Sequence, residues 1–143
     1  MALIPSMSAR CQWVQTNGPF SGEIVSLTAL GSILFAGTEA NGLFRSDDNG
    51  LTWKEASPDL NGYYMGGLLT IGTTLIANGR DKNGFGSSLL KSTDSGKTWK
   101  FSGAGIDGFA GYVVREGNLL FTDGGYDVLP NFYPYISRDS GRT

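Results

Sequence analysis

The sequence predicts an all-β chain made of three successive antiparallel units, and three observations predict it. An eight-residue phrase recurs, as SDDNGLTW at Ser46–Trp53 and STDSGKTW at Ser92–Trp99, with SRDSGRT over Ser137–Thr143. Serine to serine, the copies stand 46 and 45 residues apart, a fixed period that marks equal supersecondary units. Around each copy run short apolar stretches bounded by turn residues, as strands of a packed sheet require. The 143 residues include 22 glycines, with 12% aromatic and 17% charged residues, a composition that suits short strands and tight turns and leaves little room for helix.

The phrase reads as a hairpin turn between two strands such as GLFRS and TWKEA. Asp48, Asp94 and Asp139 occupy one position of the three turns, where a short carboxylate accepts hydrogen bonds from backbone N–H groups of its own turn. Gly50, Gly96 and Gly141 are expected at the positive-φ position that closes it. Trp53 and Trp99 open the next strand and offer a large ring to a neighbouring unit.

With the phrases as anchors, the units align. Gly31, Gly72 and Gly117 mark one turn in ALGSILFAGT, TIGTTLIANG and REGNLLFTDG. First strands are expected over Ile24–Leu30, Gly67–Ile71 and Tyr112–Glu116, and second strands around Leu34, Leu75 and Leu120. Third strands run into the phrase at Leu43–Ser46, Leu89–Ser92 and Tyr135–Ser137.

The pattern Ser-x-Asp-x-Gly-x-Thr-Trp resembles the Asp-box, or BNR repeat, of β-propeller proteins, including bacterial photosystem II stability factor-like and sialidase-like repeat proteins. The resemblance extends from about Trp13 to the last residue. It implies three propeller blades, with the box joining the third and fourth strands of each, remote from any active site. Structural roles then fall to Ser46, Asp48, Gly50 and Trp53, to Ser92, Asp94, Gly96 and Trp99, and to Ser137, Asp139 and Gly141.

Trp13 precedes Gly31 by 18 residues, against 19 from Trp53 to Gly72 and 18 from Trp99 to Gly117. Residues 11–16 are therefore expected to be an outer, closing strand with no first three strands before it, preceded by an N-terminal extension over 1–10. The blade units lie at about 17–56, 57–102 and 103–143, and the last lacks a fourth strand of its own. Propellers typically have about four to eight blades, so something else must finish the ring. Either a longer parent supplies the remaining blades, or a homodimer closes six, each N-terminal strand completing the other copy's last blade.

Several chemistries find no support. With no histidine and a single cysteine, Cys11, neither a Ser-His-Asp nor a Cys-His constellation can form, and neither a metal site nor a cofactor is expected. Net charge is -2 and the lysines and arginines are scattered, which argues against nucleic acid as a partner. No apolar run approaches the roughly 18 residues of a membrane span, so no membrane partner is expected. MALIPSMSA lacks the features of a signal peptide, although the resemblance points to secreted or periplasmic proteins. GAGIDG at Gly103–Gly108 fits the dinucleotide pattern G-x-G-x-x-G, but a strand-like run, GYVVREG, follows it instead of a helix. Asp47, Asp48 and Asn49 fail the spacing of a calcium loop.

Sialidases, which the resemblance also brings in, use an arginine triad that Arg80 and Arg115 do not reproduce. For a xyloglucanase-type acid pair, Asp81, Asp123 and Asp127 are available, but loop aspartates are usually solvated. The expected function is a non-catalytic binding or scaffold module with no catalytic residue. Part of a glycoside hydrolase and a purely architectural segment are the alternatives. Gly31 to Ser46 spans 15 residues, whereas Gly72 to Ser92 and Gly117 to Ser137 each span 20, which places five extra residues in each of two adjacent loops. Together with the outer-to-inner connection, these loops bring forward Tyr63, Tyr64, Arg80, Asp81, Phe85, Tyr126, Asp127 and Phe132. Their rings and polar tips suit a glycan or an extended peptide, unless the aromatics simply pack the loops onto the sheets.

Overall fold

The computed structural model describes residues 13–20, 22–81, 83, 87–106, 109–125, 132–139 and 141. Each apolar run forms an antiparallel strand beside its sequence neighbour, as short connections dictate. The first sheet is a meander of β1 (Ile24–Leu30), β2 (Ile33–Thr38), β3 (Leu43–Ser46) and β4 (Lys54–Glu55). The second repeats it with β5 (Tyr64–Ile71), β6 (Thr74–Arg80), β7 (Ser87–Ser92) and β8 (Lys100–Phe101), and the third has β9 (Phe109–Glu116), β10 (Leu119–Gly125) and β11 (Phe132–Ser137). A single 3-10 turn at Pro58–Leu60 is the only helical element among the described residues.

The strands follow the expected alignment, with two differences. The strands β5, β9 and β11 each begin three residues earlier than expected. The extra residues of the second unit mostly lengthen its hairpin: β6 and β7 have 7 and 6 residues where β2 and β3 have 6 and 4. Arg80 thus ends a strand, paired with Ser87, instead of opening a loop. Of the residues 11–16 expected as a closing strand, Trp13–Thr16 are described; they belong to no sheet here, and Trp13 is fully exposed. The expected extension 1–10, with Cys11 and Gln12, lies outside the described residues.

The sheets pack face to face, their first strands neighbouring one another as β1, β5 and β9. Alternation along the second strands builds both seams. Phe35 and Ile76, at one repeat position, are 0% and 1% exposed, and each enters the core shared with the following sheet. Leu75 and Leu120, one residue earlier in their repeats, are buried against the preceding sheet. Trp99 packs on the first of these cores.

The recurrent turns are tied as the sequence predicts. Ser46 Oγ donates to Asp48 Oδ1 at 2.7 Å and accepts the Gly50 amide at 2.8 Å. Asp48 in turn accepts the Thr52 amide at 2.9 Å and the Thr52 hydroxyl at 2.6 Å. Ser92, Asp94, Gly96 and Thr98 repeat the pattern at 2.6–2.9 Å, and Ser137, Asp139 and Gly141 repeat its first half at 2.7 Å. Gly96 has φ +79° and faces Phe35 of the first sheet, 2.6 Å from where a Cβ would stand. Sequence reasoning missed that the residues before two of these glycines, Asn49 and Ser95, also take positive φ.

Hydrogen bonds to an ionised carboxylate lower its pKa. The Thr52 hydroxyl, then the Thr52 amide and Ser46 hydroxyl, bring Asp48 down from 3.8 to about 2. The Thr98 hydroxyl, then its amide and the Ser92 hydroxyl, push Asp94 down as well. A depressed folded-state pKa favours folding above the unfolded value and loses that contribution as pH falls through the folded one. The denaturation midpoint should therefore stay level above about pH 4 and fall from there toward about pH 2. Asp48→Asn with Asp94→Asn should lower the midpoint at neutral pH and flatten its fall on acidification, read by urea titrations across pH. A glycine pair separates backbone from packing. Gly72, φ +56°, has nothing within 4 Å of the position a Cβ would take, so Gly72→Ala should cost about 1 kcal/mol for the left-handed backbone alone. Gly96→Ala adds overpacking against Phe35 and should cost about 3 kcal/mol in the same titration.

Candidate functional site

The first strand of every sheet loses register at one repeat position. The shifts fall at Val25 in β1, at Gly66 in β5, and opposite Asp123 in β9. Bulges re-aim side chains and part the backbone from its neighbour. In the second sheet the bulge falls in the run Tyr64-Met65-Gly66-Gly67, and strand glycines leave backbone open to whatever approaches.

A groove of about 260 Å³ opens there, lined by Tyr64, Gly66, Gly67, Asn78, Arg80, Gly111 and Tyr112. It lies where β5 and β6 meet β9. Tyr64 and Arg80 are ladder partners, and the Arg80 guanidinium stands 5.2 Å from the Tyr64 ring centroid, a cation–π contact. The Tyr64 ring also covers Gly66, where any side chain would collide with it. Gly67 differs, because a Cβ there would meet Asn78 Cβ at 3.5 Å, ordinary contact.

Asn78 forms the far wall and is 7% exposed. Its Nδ2 donates to the Ala110 carbonyl at 2.7 Å and to the Gly111 carbonyl. These carbonyls lie on the third sheet's first strand, so one amide ties the second sheet to the third. The equivalent residue of the first sheet is Gly37, which lies directly against the Met65 backbone and Ser26. Ser26 Oγ donates to the Met65 carbonyl at 2.6 Å, the repeat counterpart of the Ala110 carbonyl.

The sequence-predicted residues divide. Tyr64 and Arg80 meet in the groove. Tyr63 packs partly buried against the core between the first two sheets, and its carbonyl accepts the Gly42 amide at 3.0 Å. Asp81 accepts the Asn83 amide at 2.9 Å and does not line the groove. Phe85, Tyr126 and Asp127 lie outside the described residues, as does the Phe132 side chain, although Phe132 begins β11. Asn78, Gly67 and Tyr112 were missed. Consecutive glycines inside a strand were the available signal for Gly67, while Asn78 had none. Asp123 stands beside Gly111 at the edge of the groove. Gly103–Ile106 is a turn, closed by the Ile106 amide on the Gly103 carbonyl at 3.1 Å, ahead of strand β9. Among the described residues no group of three or more metal-binding side chains gathers, and no helix is long and apolar enough to cross a membrane.

Solved structures share this architecture. An ancestral GH74 enzyme superposes with a TM-score of 0.60 at 17% identity, over 82% of this chain and 17% of its own. YCF48 bound to D1 peptide gives 0.60 at 18% identity, over 87% and 39%. The GH74 xyloglucanase from Xanthomonas campestris gives 0.58 at 20%, over 78% and 18%. The three sheets are β-propeller blades. The chain spans well under half the length of these propellers, and at such identities the likeness is one of fold. No protein-family model matches the sequence, and comparison with curated proteins gives no match.

Asn78 should matter to the packing of the sheets in its own right. Asn78→Ala leaves the Ala110 and Gly111 carbonyls without their donor at a buried seam, which should cost about 1–3 kcal/mol in urea denaturation.

Proposed function

We propose that the chain is a non-catalytic binding module of a β-propeller, and that the groove beside Gly67 takes an extended peptide. The observation that carries this reading is the lining itself, in which strand backbone at Gly66, Gly67 and Gly111 lies beside one cation and two tyrosines. A peptide offers carbonyls to Arg80 and apolar side chains to the rings, while glycine lets its backbone come close. YCF48, whose blades superpose on these, was solved with a D1 peptide bound. That shared fold supports a peptide ligand by analogy. The recurrent turns are, in this reading, Asp-boxes, which hold the blades from outside the groove.

A second reading, part of a glycoside hydrolase, draws on the two GH74 structures. Hydrolysis of a glycosidic bond calls on two carboxylates about 5–9.5 Å apart across the bond. The described lining of the groove contains none, Asp123 stands at its edge and Asp81 is turned to the Asn83 amide. This favours binding over cleavage.

Fluorescence titration against an array of extended peptides, with xyloglucan oligosaccharides and sialyllactose as controls, tests the reading. Arg80→Ala removes the charge and Gly67→Ala narrows the floor without a clash. Each should weaken peptide affinity about tenfold or more while leaving the thermal midpoint close to wild type. Affinity unchanged in both variants would place the site elsewhere, and release of reducing sugar from xyloglucan would overturn the non-catalytic claim.

A further inference from the structure

The two outer faces of the three-blade stack are built like its two internal seams. Phe121 holds the repeat position of Phe35 and Ile76, yet is 38% exposed. Val114 and Ile136 beside it are exposed as well. At the other end, Leu34 holds the position of the buried Leu75 and Leu120, and lines an open apolar hollow with Ile24, Leu27, Pro19 and Trp53. One end thus presents the following-blade surface and the other the preceding-blade surface. Exposed apolar faces of this kind mark interaction sites.

Two departures from the repeat say what covers them. In both internal seams, the residue before the turn serine is a cation that reaches the next blade's turn. Arg45 Nη1 donates to the Ser95 carbonyl at 3.3 Å, and Lys91 Nζ to the Gly141 carbonyl at 2.9 Å. The third blade has Ile136 at that position, 46% exposed. On the turns themselves, the residue after the glycine is Lys97 in the second copy and Arg142 in the third. The first copy has Leu51, 70% exposed. Both breaks replace a cation by an aliphatic side chain. They fall on opposite ends of the stack, and on the two sides of a single type of contact.

We propose that a second copy of this chain covers these faces head to tail, with Ile136 of one copy packed on the Leu51 turn of the other, so that two chains close a ring of six blades. A head-to-tail contact stays finite only when its rotation closes, and six lies within the usual propeller range of about four to eight blades. The same junction gives β11 an outer neighbour. The outer edge of β11 has no neighbour among the described residues, and an open edge favours strand addition. Trp13, exposed and at the spacing of a box tryptophan, is carried into that edge by the other copy. This proposal is independent of the groove and its ligand.

Light scattering and sedimentation of the 143-residue chain test it. Twice the chain mass of 15.2 kDa is expected. Ile136→Glu buries an unpaired carboxylate at the junction and should raise the dimer dissociation constant about tenfold or more. Trp13→Ala should weaken the dimer in the same direction. Both positions are exposed in the single chain, so far-UV circular dichroism at low concentration should match wild type. A monomer persisting up to about 100 μM, an open-ended polymer, or a dimer indifferent to Ile136→Glu would each overturn the proposal.

Discussion

The first seam depends on a turn glycine pressed against the second strand of the blade before it: a Cβ at Gly96 would stand 2.6 Å from Phe35, whereas one at Gly141 would stand 3.7 Å from Ile76 Cδ1, in ordinary contact. The turn must therefore hold its shape to within a fraction of an ångström, because any drift opens a gap or drives backbone into a buried ring. Ser, Asp and Thr provide that rigidity from within the turn, through a chain that runs hydroxyl to carboxylate to hydroxyl and amide. Polar groups that form a complete local network leave few donors for the seam to satisfy. The phrase is thus conspicuous in the sequence because two requirements meet in it: a closed hydrogen-bond set, and the absence of a side chain at the point of contact.

That coupling also explains what could be read in advance. The ends of β3, β7 and β11 are fixed by the serine that starts each turn, so their positions followed from the phrase alone. Gly31, Gly72 and Gly117 fixed the inner hairpins in the same way. Where no special backbone geometry is demanded, the sequence is silent. The early starts of β5 and β9 depend on ladder partners that arrive from β6 and β10. The extra residues of the second unit were legible as a number but not as strand, since Arg80 needs Ser87 and Tyr64 beside it before it becomes a ladder residue. Of the site, Tyr64 and Arg80 were accessible as an aromatic and a cation close to a predicted loop. Asn78 was not, because an asparagine within an apolar run looks the same whether it is a defect or a tie between blades. Trp13 shows the converse, a position singled out by spacing that joins no sheet among the described residues.

The contrast between the two seams accounts for the place of the groove. At the junction of the first and second blades, Gly37 lets the Met65 backbone press directly on β2, and the Ser26 hydroxyl completes the joint. At the next junction the same repeat position is Asn78, whose side chain stands between β6 and the Ala110 and Gly111 carbonyls. The asparagine holds the third blade to the second through its own length, where the glycine joins the second to the first by direct contact. Gly67 and Gly111 then put nothing into the space that results, and Tyr64 and Arg80 wall it. A change from glycine to a hydrogen-bonding spacer thus separates a closed seam from an open one on the same repeat. The spacer has to be polar as well as long, because the strand edge it faces would otherwise carry buried carbonyls with no donor. The residue that opens the groove is for this reason also one that the fold cannot lose cheaply.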